Sequence, residues 1–116
     1  MPRTLETVQP TSRPGLVAVY TPADSVNGHS FLNSKQNAFL HIKNDNAGTI
    51  VATILTPQTV DSLALEDRTV SMPTGTEVFI GPFNNQTYGN GASGVYFDFD
   101  IDTDVTLAVI QLGLSV

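Results

Sequence analysis

The segment VYFDFDIDTDVTLAVIQL, residues 95–112, decides how the chain folds. Over residues 95–100, apolar and polar side chains alternate, which is the period of a β-strand with one buried face. Residues 105–112 are apolar on both faces and rich in β-branched side chains, as in a strand that is covered on both sides. We therefore expect two strands here, the second either central to a sandwich, which is the favoured interpretation, or pressed against another subunit. Phe97, Phe99 and Ile101 should point into the core.

Similar runs precede this segment at short intervals, and Gly, Pro, Asn and Asp residues separate them as turns. The predicted strands cover residues 16–21, 38–43, 49–55, 68–72, 77–80, 95–100 and 105–112, with 30–32 as a short extra strand. Without crossover helices, such strands must pair mostly antiparallel and need a second layer over their apolar face. The predicted fold class is all-β: an antiparallel β-sandwich or jelly roll of seven to eight strands formed by residues 16–116.

Two segments lie outside this pattern. Residues 1–15 contain Pro2, Pro10 and Pro14, which prevent a helix and favour extended backbone. We expect an extended or disordered N-terminal arm that either frays or lies along a neighbouring molecule. Residues 60–66 could hold one helical turn capped by Asp61, but the segment is too short for a stable helix and is treated as a loop.

The composition limits what the chain can do. It has 116 residues, 41% of them apolar, and no cysteine, which indicates one globular domain without disulfides, thiolate nucleophiles or cysteine-based zinc sites. The net charge is −6. The five cations are too few for a basic patch, which argues against nucleic-acid binding; they are Arg3, Arg13, Lys35, Lys43 and Arg68. No signal peptide or membrane span is expected.

A run of alternating acidic residues is the most conspicuous candidate for a metal site. Asp98, Asp100, Asp102 and Asp104 would share one strand face if the strand continued throughout. An EF-hand is excluded because its loop needs Gly and Glu where this chain has Thr103 and Val109. Same-face neighbours lie about 6.5–7 Å apart, too far for all four carboxylates to bind one calcium ion without a bend. The favoured interpretation is a solvated strand face, and we predict no metal or cofactor.

No catalytic site is predicted. His29 and His41 are the only histidines, and neither has a partner close in sequence. A Ser-His-Asp triad would need a nucleophile signature that the chain lacks. Arg68 is interpreted as a residue that holds a loop through its planar fork of donors. We therefore expect a protein that is not an enzyme.

From residue 39 onward the chain resembles small virion structural proteins of tailed bacteriophages, encoded beside the major capsid protein. The resemblance spans roughly residues 39–112 and consists of strand pattern and turn placement. The segments that carry it are FLHIKN (39–44), TILTP (53–57), TVDSLALEDRTV (59–70), PTG (73–75), IGPF (80–83) and Tyr88. Ser62 stands where such proteins are expected to have Gly, and Met72 and Thr74 flank Pro73 where smaller or β-branched residues are usual.

The resemblance implies a head decoration, or cement, protein that binds the outer capsid surface and stabilises neighbouring capsomers. Its partners would be the major capsid protein and further copies of itself, commonly in a trimer. It would be made in the host cytoplasm and end in the virion. The arm is the predicted contact, through Arg3, Leu5, Val8 and Arg13. Two alternatives stay open: another virion component, in the tail tube or head-to-tail connector, and a carbohydrate-binding β-sandwich module.

Overall fold

The computed structural model describes residues 3–33, 36–57, 59–64, 66–89 and 94–112. Within these ranges the regular structure is almost entirely β, with one helical turn. In chain order the elements are β1 (Thr4–Leu5), β2 (Val8–Pro10), β3 (Thr21–Pro22), β4 (His29–Phe31), β5 (Ala38–Asn44), β6 (Ile50–Ile54), β7 (Thr59–Val60), β8 (Leu63–Ala64), β9 (Arg68–Met72), β10 (Glu77–Ile80), α1 (Asn85–Tyr88), β11 (Val95–Phe99) and β12 (Val105–Gln111).

Two mixed sheets of five strands pack together, which confirms the all-β part of the prediction and is consistent with a sandwich. The described residues form twelve strands where seven to eight were predicted, because short strands in the arm and in the loops also pair. The first sheet has the order β1-β4-β11-β6-β9. The second has the order β10-β5-β12-β2, and β3 also pairs with β12. The longer strands pair antiparallel, while β1 with β4 and β2 with β12 are parallel. The short strands β7 and β8 form a separate hairpin.

Strand β12 lies at the centre of the second sheet, as its sequence predicts. It pairs with β5 along its whole length and with β3 and β2 on its other edge. Leu107 and Val109 face the first sheet and are fully buried. On the opposite face Ala108 and Ile110 are buried as well. Both faces are therefore covered, which explains why the run is apolar throughout.

The core lies between the two sheets and consists of side chains that alternate along the strands. In β6 and β11 every second residue is buried, which is the period-2 pattern of a half-buried strand. The largest fully buried apolar side chains are Phe31, Leu40, Ile42, Ile50, Ile54, Met72, Val95, Phe97, Val105, Leu107 and Val109. Burial of an aliphatic or aromatic side chain of this size contributes about 1.5–3 kcal/mol.

The predicted strand over residues 16–21 is wrong. Residues 16–20 form no strand, and only Thr21–Pro22 pairs with β12. The reason is the side chain of Gln9, 10 residues earlier. Its amide donates to the carbonyl of Val19 and accepts from the Val19 N–H, each at 2.8 Å. Because the side chain takes both main-chain groups of Val19, the segment is fixed without a strand partner there.

Two other local predictions are also corrected. Residues 59–64, most of which were predicted as a loop with room for a helical turn, form a tight hairpin of β7 and β8 in which Asp61 and Ser62 have φ of 52° and 65°. Positive φ at both central positions is typical of a type I′ turn. The one helical turn is α1, in a segment predicted as a loop. The Asn84 side chain caps it by accepting from the Thr87 N–H at 2.8 Å.

Residues 3–10, assigned to the extended arm, pair with the chain's own sheets. Strand β1 extends the first sheet and β2 the second, so the arm crosses from one sheet to the other. The N–H groups of Thr4 and Glu6 donate to the carbonyls of Gly28 and Ser30 at 3.1 and 2.8 Å. The open edges of β4 and β12 supply the unpaired backbone groups that the arm satisfies.

Candidate functional site

The side chain of Arg3 attaches the start of the arm to the outer face of the first sheet. Its guanidinium donates to Asp98 at 2.5 Å and lies 4.5 Å from the centre of the Tyr96 ring. Gly28 is required beside this pair, because a Cβ at that position would collide with both the carboxylate of Asp98 and the guanidinium. The pair is partly exposed, with 23% and 38% of the two side chains accessible, so it orients the arm more than it stabilises it.

A buried acid–imidazole pair lies where the arm crosses between the sheets. Glu6 is 8% exposed and His29 is fully buried, and their Oε2 and Nδ1 atoms are 2.8 Å apart. The N–H of Asp24 donates to His29 Nε2 at 2.8 Å, so this nitrogen carries no proton. Nδ1 therefore bears the hydrogen and donates to Glu6, and the imidazole is neutral. With both nitrogens occupied, His29 has no free lone pair for general base catalysis.

The second oxygen of Glu6 accepts from the Thr21 hydroxyl at 2.8 Å. Burial acts to raise the pKa of Glu6, but the hydrogen bonds from His29 and Thr21 outweigh it, and the pKa lies below its usual value. Glu6 is thus an ionised carboxylate inside the fold. It joins the arm, strand β3 and strand β4 through hydrogen bonds to a charged group, which are stronger than neutral ones.

Next to this pair lies an open cavity of about 730 Å³, which we call the arm cavity. Its walls come from the arm, from the segment around β3, and from β12. The lining residues are Thr4, Leu5, Glu6, Thr7, Gln9, Val19, Thr21, Pro22, Ala23, Asp24, His29, Asp102, Leu107, Ala108 and Val109. The volume is in the range of sites that enclose a drug-sized ligand.

The acidic run does not form the shared strand face that its spacing suggested. Strand β11 ends at Phe99, and the chain then bends, so the four carboxylates diverge. Asp98 binds Arg3, Asp100 accepts from the Val51 N–H at 2.8 Å, and Asp102 accepts from the Ser25 N–H at 2.9 Å. These acids act as local acceptors for different segments. No described group of three His, Asp or Glu side chains is arranged to hold a metal ion.

One core assignment in this run is wrong. Phe97 and Phe99 are buried as predicted, but Ile101 is 39% exposed. Strand alternation stops after Phe99, and residues 100–104 form a bend and turn in which Asp104 has φ of 58°. Beyond Phe99, counting every second residue therefore no longer predicts which side chains face the core.

The other histidine lies on the outer face of the second sheet. The Tyr20 hydroxyl is 2.6 Å from His41 Nδ1, and His41 Nε2 is 3.0 Å from Glu77. The Phe79 ring stacks on the imidazole at 4.1 Å, and the Lys43 ammonium lies 4.1 Å from the centre of the Tyr20 ring. Because the Glu77 carboxylate accepts, Nε2 carries a proton and donates to it. This chain of bonds satisfies a buried imidazole and fixes residue 20 against the sheet.

The residues predicted to make contacts lie in different environments. Arg3 is bound to Asp98, Val8 packs against the core, and Arg13 is exposed in the segment after β2. Leu5 is 60% exposed and lines the arm cavity. Of the four predicted contact residues, Leu5 and Arg13 are exposed.

Arg68, predicted to hold a loop through its fork of donors, bonds a tyrosine hydroxyl through one nitrogen. Its Nε donates to the Tyr88 hydroxyl at 3.1 Å, which connects β9 to the helical turn α1. Sequence reasoning missed the Glu6–His29 and Tyr20–His41–Glu77 arrangements. Their members are 21 to 36 residues apart, and no local spacing marks them. The only sequence signal was the position of His41 between alternating residues of a strand.

No protein family model, no curated protein and no solved structure matches this chain. In the part of the chain that the structure describes, no helix is long and apolar enough to cross a membrane. The fold and the site together define a β-sandwich with an open cavity at one side. The N-terminal strands β1 and β2 line this cavity, and acidic residues lie along its apolar walls.

Proposed function

We propose that the chain is a virion structural protein of a tailed bacteriophage, a head decoration or cement protein that binds the outer capsid surface. The observation that carries this proposal is a row of exposed aliphatic side chains beside the arm. Val17 is 91% exposed, Val19 67% and Leu5 60%. Isolated exposed aliphatic residues are common on monomers, whereas a group of them indicates an interaction surface.

These three residues belong to one surface. Leu5 and Val19 line the same cavity, and Val17 is two residues before Val19 in the same extended segment. Gln9 fixes that segment through both main-chain groups of Val19, so the surface needs little ordering on binding. Burying a valine or leucine side chain contributes about 1.5–3 kcal/mol, and three of them would hold a partner in place.

In this proposal the arm keeps its backbone pairing with the sandwich and presents its outer side to the capsid protein. Leu5 and Arg13 are the arm residues that make the contact, while Arg3 and Val8 hold the arm to its own domain. Further copies of the chain around a capsomer axis, commonly three, would complete the assembly. The net charge of −6 keeps the chain soluble before it binds.

The experiment is co-sedimentation of the purified chain with empty heads assembled from the major capsid protein of the same virus. The double variant Val17→Asp/Val19→Asp should reduce occupancy at least tenfold, since it places two charges in the contact. Leu63→Asp is the matched control, because Leu63 is 70% exposed on the separate β7–β8 hairpin, which follows β6 in the chain and does not line the arm cavity. Equal occupancy of all three proteins would contradict the proposed surface.

Imaging of labelled particles separates decoration from the other virion roles. Label on the head surface supports the proposal, and label on the tail tube or on the head-to-tail connector would replace it.

One observation favours the carbohydrate-binding alternative. Phe79 is 64% exposed and lies flat on His41, beside Glu77 and Lys43 on the outer face of the second sheet. A flat exposed ring with polar neighbours can stack on a sugar. A glycan array compares the chain with Phe79→Ser. Binding that is lost in the variant would support this function, and no binding by the parent chain would count against it.

A further inference from the structure

We propose that the arm cavity binds an extended segment of the protein's assembly partner through a lysine or arginine side chain flanked by aliphatic residues. The inference deepens the proposed function and rests on it for the identity of the partner. The recognition chemistry, a basic group on an aliphatic stem, is read from the cavity itself.

The walls of the cavity suit an aliphatic stem. Val19 and Pro22 contribute exposed apolar surface to it, and the buried residues Ala23, Leu107, Ala108 and Val109 lie behind that surface. Leu5 and Val19 extend this surface to the outside, where both are more than half exposed. The methylene groups of a long basic side chain could pack along these walls while its charged end reaches a polar group.

The charge of the cavity selects a cation. Its lining contains three carboxylates, Glu6, Asp24 and Asp102, and neither lysine nor arginine. His29 adds no positive charge, because its Nε2 accepts the Asp24 N–H. A basic group would therefore meet the two partly exposed carboxylates of Asp24 and Asp102, with the charge of the buried Glu6 behind them.

The carboxylates are held in the ionised form. Hydrogen bonds from Asn27 lower the pKa of Asp24, and hydrogen bonds from Ser25 lower the pKa of Asp102. Their carboxylates thus remain charged at neutral pH without a cation of the chain lining the cavity.

The backbone of β1 favours a peptide segment over a free amine. Thr4 and Glu6 direct their N–H groups to β4, so strand alternation turns the N–H and C=O of Leu5 to the outer edge of the sheet. An extended segment could pair there while its basic side chain enters the cavity. A free amine would gain nothing from this edge.

The test uses the full chain labelled with ¹⁵N and three probes. The first is the N-acetylated, C-amidated peptide Gly-Val-Lys-Val-Gly. The second has norleucine in place of lysine, and the third is n-butylammonium. The lysine peptide should shift the amide signals of Leu5, Thr21 and Ala108. It should bind about tenfold more tightly than the norleucine peptide, because only the lysine side chain can pair with the carboxylates. It should also bind about tenfold more tightly than n-butylammonium, because only a peptide can pair with the edge of β1.

A blocking variant ties binding to the cavity. Thr7→Trp fills the opening from an exposed position and should abolish binding, while Thr69→Trp, on exposed strand β9 at the other edge of the sheet, should leave it unchanged. The proposal is overturned by equal binding of the lysine and norleucine peptides, by equal binding of butylammonium, by binding that survives Thr7→Trp, or by no shift at millimolar peptide.

This outcome is separable from that of the proposed function, which the particle assay tests. Peptide binding without head binding would retain the cavity site and refute decoration. Head binding that depends on Val17 and Val19 but not on Thr7 would retain decoration and refute the cavity site.

Discussion

Replacing Glu6 with alanine should destabilise the sandwich more than any other single change to a charged side chain in the arm. The carboxylate accepts from His29 and Thr21, each at 2.8 Å, and it is 8% exposed. His29 is fully buried, so without this carboxylate its Nδ1–H has no acceptor and no access to water. An unsatisfied buried donor of this kind costs about 1–3 kcal/mol.

The magnitude follows from the two bonds. The Thr21 hydroxyl is half-buried and can donate to water instead. The loss of its hydrogen bond to Glu6 therefore adds about 0.5 kcal/mol to the cost at His29. We expect the free energy of unfolding to fall by about 2–3 kcal/mol in all. For a domain of this length that corresponds to a decrease in Tm of about 8–12 °C.

The assay is urea unfolding followed by tyrosine fluorescence at pH 7, together with thermal unfolding. Glu66→Ala is the control, because it makes the same substitution at an exposed position. It should change the free energy of unfolding by less than about 0.5 kcal/mol. If Glu6→Ala unfolds within 0.5 kcal/mol of the parent chain, the arm does not depend on this buried pair and the reasoning fails.

The pH dependence supplies a second readout through Glu6→Gln, which keeps the shape but not the charge. The pKa of Glu6 is lowered in the folded state, so its contribution is fully present above the unfolded value of about 4.3. The contribution is lost as the pH falls through the lower folded value. The stability gap between the parent chain and Glu6→Gln should therefore close on acidification. A gap that stays constant between pH 7 and acid pH would refute the assignment.

Two further predictions concern the arm and the turns. Asp98→Asn should lower the free energy of unfolding by less than about 1 kcal/mol, because the ion pair of Asp98 with Arg3 is partly exposed. Measured by urea unfolding, the effect should shrink in 1 M salt. An effect that salt does not change would contradict this prediction. Gly94→Ala should cost at least about 3 kcal/mol, since φ is +82° and a Cβ would overlap the carbonyl oxygen of Phe31. Gly75→Ala, with φ of +75° and open space around it, should cost about 1 kcal/mol, and similar values for both would refute the steric argument.

The longer strands were predictable because their side chains alternate with the period of the sheet. Residues 68–72 and 77–80 match β9 and β10 residue for residue. Strands β5, β11 and β12 differ from their predictions by one residue at one end, and β6 by one residue at each end. In such segments the alternation of apolar and polar residues directly predicts which side chains are buried. The prediction failed where a short segment has no such pattern, as in β1, β2 and the β7–β8 hairpin.

The candidate site could not be predicted in the same way. Glu6 and His29 are 23 residues apart, and Gln9 holds Val19 through side-chain bonds that leave no trace in hydropathy. The predicted strand over residues 16–21 had suitable composition, but its backbone groups found another partner. Contacts of this kind depend on which sheet edges are open after the core has formed.

The sequence by itself determined that the chain forms an all-β sandwich built on its longer strands, because burial of alternating apolar side chains is a local property of each strand. Only the tertiary structure decided that residues 3–10 close both sheets, that the acidic run separates into three acceptors and an exposed Asp104, and that a cavity with carboxylates lies beside Val19. Those features join segments up to 95 residues apart, as Arg3 and Asp98 show. Such pairs form because each satisfies a buried or half-buried polar group that the folded core has removed from water.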